Sequence, residues 1–270
     1  MSGNIQIWGV LNVTPDSFSD GGKYLDPDFA LSHARSLLAD GATVIDVGAE
    51  STRPGAGRIT VDEEIDRLTP VVSALVADGH LVSVDTMRAE TATAMISRGV
   101  PIINDVSGGL ADPGMLGAVA DSDVTYVMMH WRGPSDTMDQ HAAYDNVVAD
   151  VREHLTGRIQ AALDAGIDPT RIMIDPGFGF SKNPDHNWEI VRRITDLVGL
   201  GFPVLAGVSR KRFIGALFPR DHQMSDRDDP SAMVGALLAQ KGVSALRVHN
   251  VASQLRALEI MRRVEGRSHA

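Results

Sequence analysis

Four residues of this chain, Asp85, Asn104, Asp175 and Lys211, each stand at or just beyond the end of a short apolar run. A carboxylate accepts two parallel N–H bonds from an amidine-like edge, and an asparagine amide offers a donor and an acceptor together. An amino-heterocycle such as a pterin or guanine ring needs a set of this kind. Either aspartate alone could instead cap a helix, since Asp85 precedes Thr86 and Asp175 precedes Pro176. All four together fit a ring pocket better than they fit four separate caps.

A second constellation is cationic: Arg53, Lys211, Arg247 and His249. Phosphate groups favour arginine forks, and parallel barrels often hold phosphate around their last two strands. Surface salt bridging is the usual fate of an isolated arginine. Arg247 and His249, however, point the same way from one strand while Val248 points the other way. Inward positive charge at a barrel mouth needs an anionic partner. Asn12 opens a loop rich in oxygen side chains, Asn12-Val13-Thr14-Pro15-Asp16-Ser17-Phe18-Ser19-Asp20. Such a loop suits Mg²⁺, which keeps most of its waters and shares ligands with phosphates. The competing reading is a turn built from side-chain-to-backbone bonds. There is no phosphate-loop motif, no dinucleotide fingerprint and no nucleophile elbow. His130 reads as a residue lining or supporting the pocket rather than a catalyst.

The elements that position these groups alternate between short apolar runs and amphipathic stretches. The runs are 5–11, 44–47, 81–84, 102–103, 124–129, 172–174, 204–208 and 246–248. Between them lie helical periodicities at 28–39, 61–77, 89–97, 113–120, 144–165, 187–200, 230–240 and 251–264. Gly41, Gly79, Gly99, Gly166 and Gly242 fall where left-handed helix C-caps belong. Strand–helix alternation implies a parallel sheet, and eight units imply a (β/α)8 TIM barrel with its reactive groups at the C-terminal strand ends. Three connections, 13–24, 50–60 and 131–143, exceed the usual ~2–6 residues of a βα loop, so they are candidate lids or binding loops. The third carries no dense reactive cluster and suits surface decoration. The charged segment 218–229 is expected to be mobile.

The chain has 270 residues, 43% hydrophobic and 22% charged, which suits one globular domain spanning 1–270. It has no cysteine, so disulfides and thiolate metal sites are excluded. The start of the sequence does not have a signal-peptide pattern, and no apolar run approaches ~18–20 residues, so no membrane span is expected. The formal net charge of −10 argues against general nucleic-acid binding but leaves room for a local cationic cluster. A cytoplasmic homodimer acting on small molecules is expected.

Read together, the motifs resemble the dihydropteroate synthase family, the folate-pathway transferases targeted by sulfonamides, and in particular its actinobacterial branch. The resemblance rests on Gly9 to Gly22, on Asp46-Val47-Gly48-Ala49-Glu50-Ser51-Thr52-Arg53-Pro54-Gly55, on Asp85-Thr86, and on Asn104 to Gly109. Asp175 to Phe180, Ser209-Arg210-Lys211 and Arg247-Val248-His249 follow in family order. Arg212 stands where many relatives have serine. The resemblance implies condensation of 6-hydroxymethyl-7,8-dihydropterin diphosphate with 4-aminobenzoate. It implies that Asp85, Asn104, Asp175 and Lys211 hold the pterin, and that Arg247, His249 and Asn12 serve the diphosphate and Mg²⁺. It places Ser51, Thr52 and Arg53 in a second mobile loop, and Phe18, Phe180 and Arg212 around the aminobenzoate. Asp175, Lys211, Arg247 and His249 are then the catalytic set, with Asn12 the metal ligand.

Competing readings use the same residues differently. A methyltetrahydrofolate:corrinoid methyltransferase-like barrel would share the pterin pocket without needing the cationic cluster. A class I aldolase would use Lys211 as a Schiff base but leave Asn12 and Asp175 without a task. A non-catalytic pterin-binding paralogue should have lost motif residues of the first or second loop, and both motifs are intact.

Overall fold

The computed structural model describes residues 5–14, 27–50, 58–134 and 137–266. Eight parallel strands follow one another: β1 (Gln6–Asn12), β2 (Val44–Gly48), β3 (Val82–Asp85), β4 (Ile102–Asp105), β5 (Thr125–Met129), β6 (Ile172–Asp175), β7 (Leu205–Ala206) and β8 (Ala245–Val248). They are hydrogen-bonded in the order β6-β5-β4-β3-β2-β1-β8-β7. Ile174 closes the ring, bridging to Val204 and donating its N–H to Pro203 O at 2.9 Å. The (β/α)8 barrel expected from the alternation is therefore what the chain builds.

The principal helices on the outside are α1 (Pro27–Ala39), α2 (Val61–Ala77), α3 (Ala89–Ile96), α4 (Met115–Ala120), α5 (Val147–Asp164), α6 (Pro184–Arg192), α7 (Thr195–Val198), α8 (Arg212–Gly215), α9 (Asp228–Gln240) and α10 (Val251–Val264). Gly41, Gly79, Gly99, Gly166 and Gly242 all have positive φ, as left-handed C-caps require.

Several boundaries differ from the sequence reading. The stretch 187–200 divides: α6 starts earlier, where Asn183 and His186 form a reciprocal cap, and a single turn, α7, follows. Helix α5 starts at Val147, not Tyr144, because the Asn146 side chain accepts the Ala149 N–H at 3.2 Å. The seventh strand keeps only two residues, and four residues beyond its end the chain enters the left-handed region at Arg210, φ +59°. The segment 218–229 is better tied than expected. Its end forms a 3₁₀ turn, Met224–Arg227, and the first residues of α9, and Arg210 grips Asp228 through two bonds of 2.6 and 2.8 Å.

The barrel interior is plugged by Trp8, Val44, Ile102, Val127, Met173, Leu205 and Ala245, one from each of seven strands. Side chains alternate along a strand with period two. The residue two places beyond each plug residue therefore faces inward, one layer nearer the C-terminal mouth. Val44 leads to Asp46, Ile102 to Asn104, Met173 to Asp175 and Ala245 to Arg247. This layer, above an apolar floor, is where polar groups meet.

The loop after β4 is fixed by Asp105. Its buried carboxylate accepts the Ser107 N–H (2.8 Å), the Ser107 hydroxyl (2.6 Å), the Gly109 N–H (2.6 Å) and the Tyr126 hydroxyl (2.7 Å). Tyr126→Phe removes one of these donors in a dry site. We expect a loss of about 1–3 kcal/mol in denaturant unfolding; an unchanged midpoint and slope would show that the loop does not depend on this bond.

Candidate active site

Asp85, Asn104, Asp175, Phe180, Lys211 and Arg247 line one cavity at the C-terminal mouth. Its free volume is about 30 Å³, room for a water molecule or two rather than a ring. An open depression of about 650 Å³ on the 218–229 segment is far larger, but it lies away from the strand ends where these groups converge.

Arg247 fills the mouth. Its Nε donates to Asp46, and its Nη2 donates to Asp85 at 3.0 Å. Asp46 is fully buried and also receives Asn104 Nδ2 at 3.4 Å. The anionic partner expected for Arg247 is thus supplied by the protein itself. Burial pushes the Asp85 carboxyl up to about 7, with Arg247 opposing and Asp46 reinforcing the shift. Burial works against the Arg247 charge, but Asp46 and Asp85 outweigh it and hold the guanidinium firmly protonated.

Asp175 ends β6 and is buried. Its Oδ1 accepts the Gly177 N–H at 2.7 Å, so it caps its own turn while facing the cavity. Burial raises its pKa, and the Gly177 N–H, Lys211 and Arg247 pull it down. Lys211 is brought to about 8, mainly by burial and then by Arg247, with Asp175 and Asp85 opposing. Its Nζ lies 4.2 Å from the Phe180 ring centroid, a cation–π contact. A Cβ at Gly179 would stand 2.9 Å from the Lys211 stem, and Gly179 has φ +77°. Glycine there lets the lysine pass. Arg210, just before it, holds a left-handed backbone that costs about 1–3 kcal/mol in a non-glycine residue. The Asp228 fork, the bond from Arg210 N to Ser231 Oγ (3.0 Å) and the bond from Arg227 to Arg210 O (3.0 Å) hold that backbone in place.

His249 departs from the cationic reading. Burial and then Arg247, Arg210 and Lys211 bring its pKa down to about 3, so it is neutral at physiological pH. Its Nδ1 and backbone N both meet Ser209 Oγ, at 3.0 and 3.1 Å. Arg212 begins α8 and is exposed. Phe18, Ser51, Thr52 and Arg53 lie outside the described residues. Glu50, at the second strand end, turns away from the cavity: it binds Arg88 at 2.6 Å, and Arg88 also holds Glu64 at 2.8 Å and Ile59 O at 2.8 Å.

Two groups that the chemistry-first reading did not single out belong here. Asp46 was detectable by period two from Val44. Lys182 gave no sequence signal: it lies in a turn with no periodicity, yet it is 4% exposed.

Asn12 ends β1 at the mouth. Gly48 of β2 leaves open a point 3.8 Å from Asp85 Oδ2 and 3.9 Å from Asn12 Oδ1, where another residue would put its Cβ. Among the described residues there is no cluster of three or more His, Cys, Asp or Glu suited to a metal. One hard amide oxygen beside open space fits an ion held largely by water and substrate phosphate, which is how Mg²⁺ is commonly bound.

The model of the pterin binding enzyme family matches residues 8–249. A dihydropteroate synthase of Mycobacterium leprae is 46% identical over 266 residues, covering 95% of this chain and 92% of that protein. A Xanthomonas albilineans dihydropteroate synthase solved with 4-aminobenzoic acid superimposes with a TM-score of 0.90 at 43% identity, covering 98% of this chain and 94% of that one. The same bacterium's enzyme in complex with 7,8-dihydropteroate gives 0.87 at 41%, covering 98% and 95%. The chain belongs to the dihydropteroate synthase family. Dihydropteroate synthases are transferases of folate biosynthesis, and this barrel is an enzyme of that class, not a corrinoid methyltransferase or an aldolase.

The Arg247 bridge generates a test within this dihydropteroate synthase fold. Arg247→Met leaves Asp46 and Asp85 buried without their cation. Breaking a buried pair in this way costs about 3–5 kcal/mol. Without Arg247 the folded-state pKa of Asp85 rises further above its unfolded value. Stability is then retained while the group is protonated and is lost as pH rises. The deficit against wild type should be small at pH 5 and full at pH 8 in urea unfolding; a deficit that ignores pH would exclude the charge explanation.

Proposed function

We propose that this chain joins 6-hydroxymethyl-7,8-dihydropterin diphosphate to 4-aminobenzoate, releasing 7,8-dihydropteroate and diphosphate. The convergence of Asp85, Asn104, Asp175, Lys211 and Arg247 on one cavity carries the reading. The first three match the donors of a pterin's amidine-like edge, and the two cations match the charge of the leaving group. A C–N bond forms at the pterin methylene, the C–O bond to diphosphate breaks, and the aniline nitrogen sheds a proton.

Asp175 as a carboxylate stabilises positive charge that develops on the reduced ring as diphosphate departs. A weak aniline nucleophile then attacks without a strong base. Arg247 has a second task. It must exchange Asp85 for the diphosphate, which frees Asp85 to accept N–H bonds from the ring. Lys211, its Nζ poised over Phe180, sits beside both. Neutral His249 offers the diphosphate a ring N–H in place of a charge. Asn12 would hold Mg²⁺, whose charge neutralises the departing diphosphate when bound. Ser51, Thr52, Arg53, Phe18 and Arg212 are assigned to the aminobenzoate side on motif grounds.

The protein is proposed to work as a cytoplasmic homodimer. No helix of the described residues is long and apolar enough to cross a membrane. Met233 and Leu237 of α9, with Ile260 and Val264 of α10, are 66%, 47%, 65% and 83% exposed, an apolar face suited to a second copy.

The deciding assay is diphosphate release with and without 4-aminobenzoate. Release that is slow alone and fast with aminobenzoate supports the reading, and no release in either case overturns it. Protein stripped with a chelator should lose turnover and regain it on adding Mg²⁺; activity indifferent to metal would remove Asn12 from the ligand role. Asp175→Asn keeps the size of the side chain but turns an acceptor into a donor. Calorimetry should show pterin affinity weaker by about 1.5–3 kcal/mol, the scale of a charged hydrogen bond, together with most turnover lost; wild-type affinity and rate would contradict the assignment.

A further inference from the structure

Behind the pterin cavity lies a second buried cation that the mechanism above does not use. The Lys182 ammonium has three N–H donors, and three acceptors surround it: His130 Nδ1 at 2.9 Å, Gly177 O at 3.0 Å and Phe180 O at 3.1 Å. This full set requires a bare Nδ1 on His130, so the His130 proton sits on Nε2, which is buried with no hydrogen-bond partner. His130 N in turn donates to Asp175 O at 2.9 Å. The same turn takes the Asp175 side chain through the Gly177 N–H.

The backbone is contorted to make this possible. Gly177, Gly179 and Ser181 have φ of +69°, +77° and +48°. A Cβ on Gly177 would lie 2.5 Å from His130 O. Ser181 is one of two non-glycine residues with positive φ among the described residues, and the other is Arg210. Each stands immediately before a lysine of this site, Lys211 or the buried Lys182. The left-handed residue throws the following side chain back into the barrel, and at Ser181 the Tyr144 hydroxyl fixes the carbonyl at 2.9 Å.

We propose that Lys182 is a positioning residue for the pterin site, tying the end of β5 to the Gly177–Phe180 turn and adding to the positive charge that favours the Asp175 carboxylate. The inference rests on the dihydropterin reading of the cavity. The groups facing Lys182 are Asp175 from β6, His130 from the end of β5, Arg132 beyond it, His154 from α5, His186 from α6 and Lys211 before α8. Among these Asp175 is the carboxylate. Burial brings Lys182 down to about 7, and Asp175 opposes the shift. Burial pushes Asp175 up, and Lys182 is one of the cations holding it down. The two charges therefore support each other across the turn.

The test is calorimetric titration with 6-hydroxymethylpterin monophosphate from pH 5.5 to 8.5 on wild type, Lys182→Met and Lys182→Gln. Loss of the charge raises the Asp175 pKa, so the pH below which affinity falls should move up. Affinity should then drop several-fold at the acid end of the range, with a smaller loss at pH 8.5. Asp85 titrates in the same range, but its main neighbours are Arg247 and Asp46, and Lys182 loses its charge toward high pH, so the acid end, where wild type carries the ammonium, isolates the Asp175 limb. Lys182→Gln still donates to the Gly177 and Phe180 carbonyls, and it decides the matter if the methionine variant does not fold. Tyr144→Phe loosens the same turn without touching charge, and should lower Tm while leaving the pH midpoint in place. A uniform loss in the Lys182 variants with the midpoint unmoved, or no loss, overturns the proposal. Wild type that does not bind the probe at any pH would instead overturn the function assigned to the cavity.

Discussion

Charge placed inside a barrel mouth has to be neutralised there, because solvent no longer does it. The pairing of Arg247 with Asp46 and Asp85 meets that constraint, and much of the site depends on it. The strand order β8-β1-β2-β3 lets a guanidinium rooted on β8 cross over β1 to carboxylates on β2 and β3. On β1 Asp46 pairs with Val10 and Arg247 with Trp8, so the guanidinium crosses an uncharged strand. Asn104 then orients against Asp46, and Lys211 and Asp175 settle opposite each other on the far side.

The same constraint explains why the loops after β6 and β7 are so heavily braced. Each delivers a lysine into a space with little room for error. Each puts a left-handed residue, Ser181 or Arg210, just before its lysine, and each is tied down by bonds to neighbouring elements: Tyr144 and Asn187 for the turn after β6, Asp228, Ser231 and Arg227 for the turn after β7. Strain located beside the two ammonium groups holds them where desolvation would otherwise favour swinging out to water.

Much of this was legible in the sequence. The run 172–174 leads straight into Asp175 because a parallel strand buried on both faces reads as continuous apolar sequence. Asp85, Asn104, Asp175 and Lys211 stand out by their position after such runs and Arg247 by its inward place within the last one, and the structure brings all five to one cavity. Glu50 shows the weakness of that rule: a polar residue just past a strand can equally turn outward, and Arg88 takes it. Asp46 carries no strand-end signal because it lies within its strand, although alternation alone points it inward. Lys182 could not be read, since a turn of three left-handed residues has no period to detect. The neutral state of His249 was equally hidden, for it is the sum of burial and three neighbouring cations that meet only in the folded chain.

The small free volume of the cavity, about 30 Å³, bears on how this enzyme would be inhibited. An arginine side chain is the stopper, and two carboxylates are its seat. A compound carrying its own planar cation could take that seat by substituting for the guanidinium, leaving Asp46 and Asp85 neutralised throughout. It would need no diphosphate to draw Arg247 away and no contact with the aminobenzoate side. Such a ligand would compete with part of the protein itself, and its affinity would be set by how cheaply a tethered arginine can be returned to water.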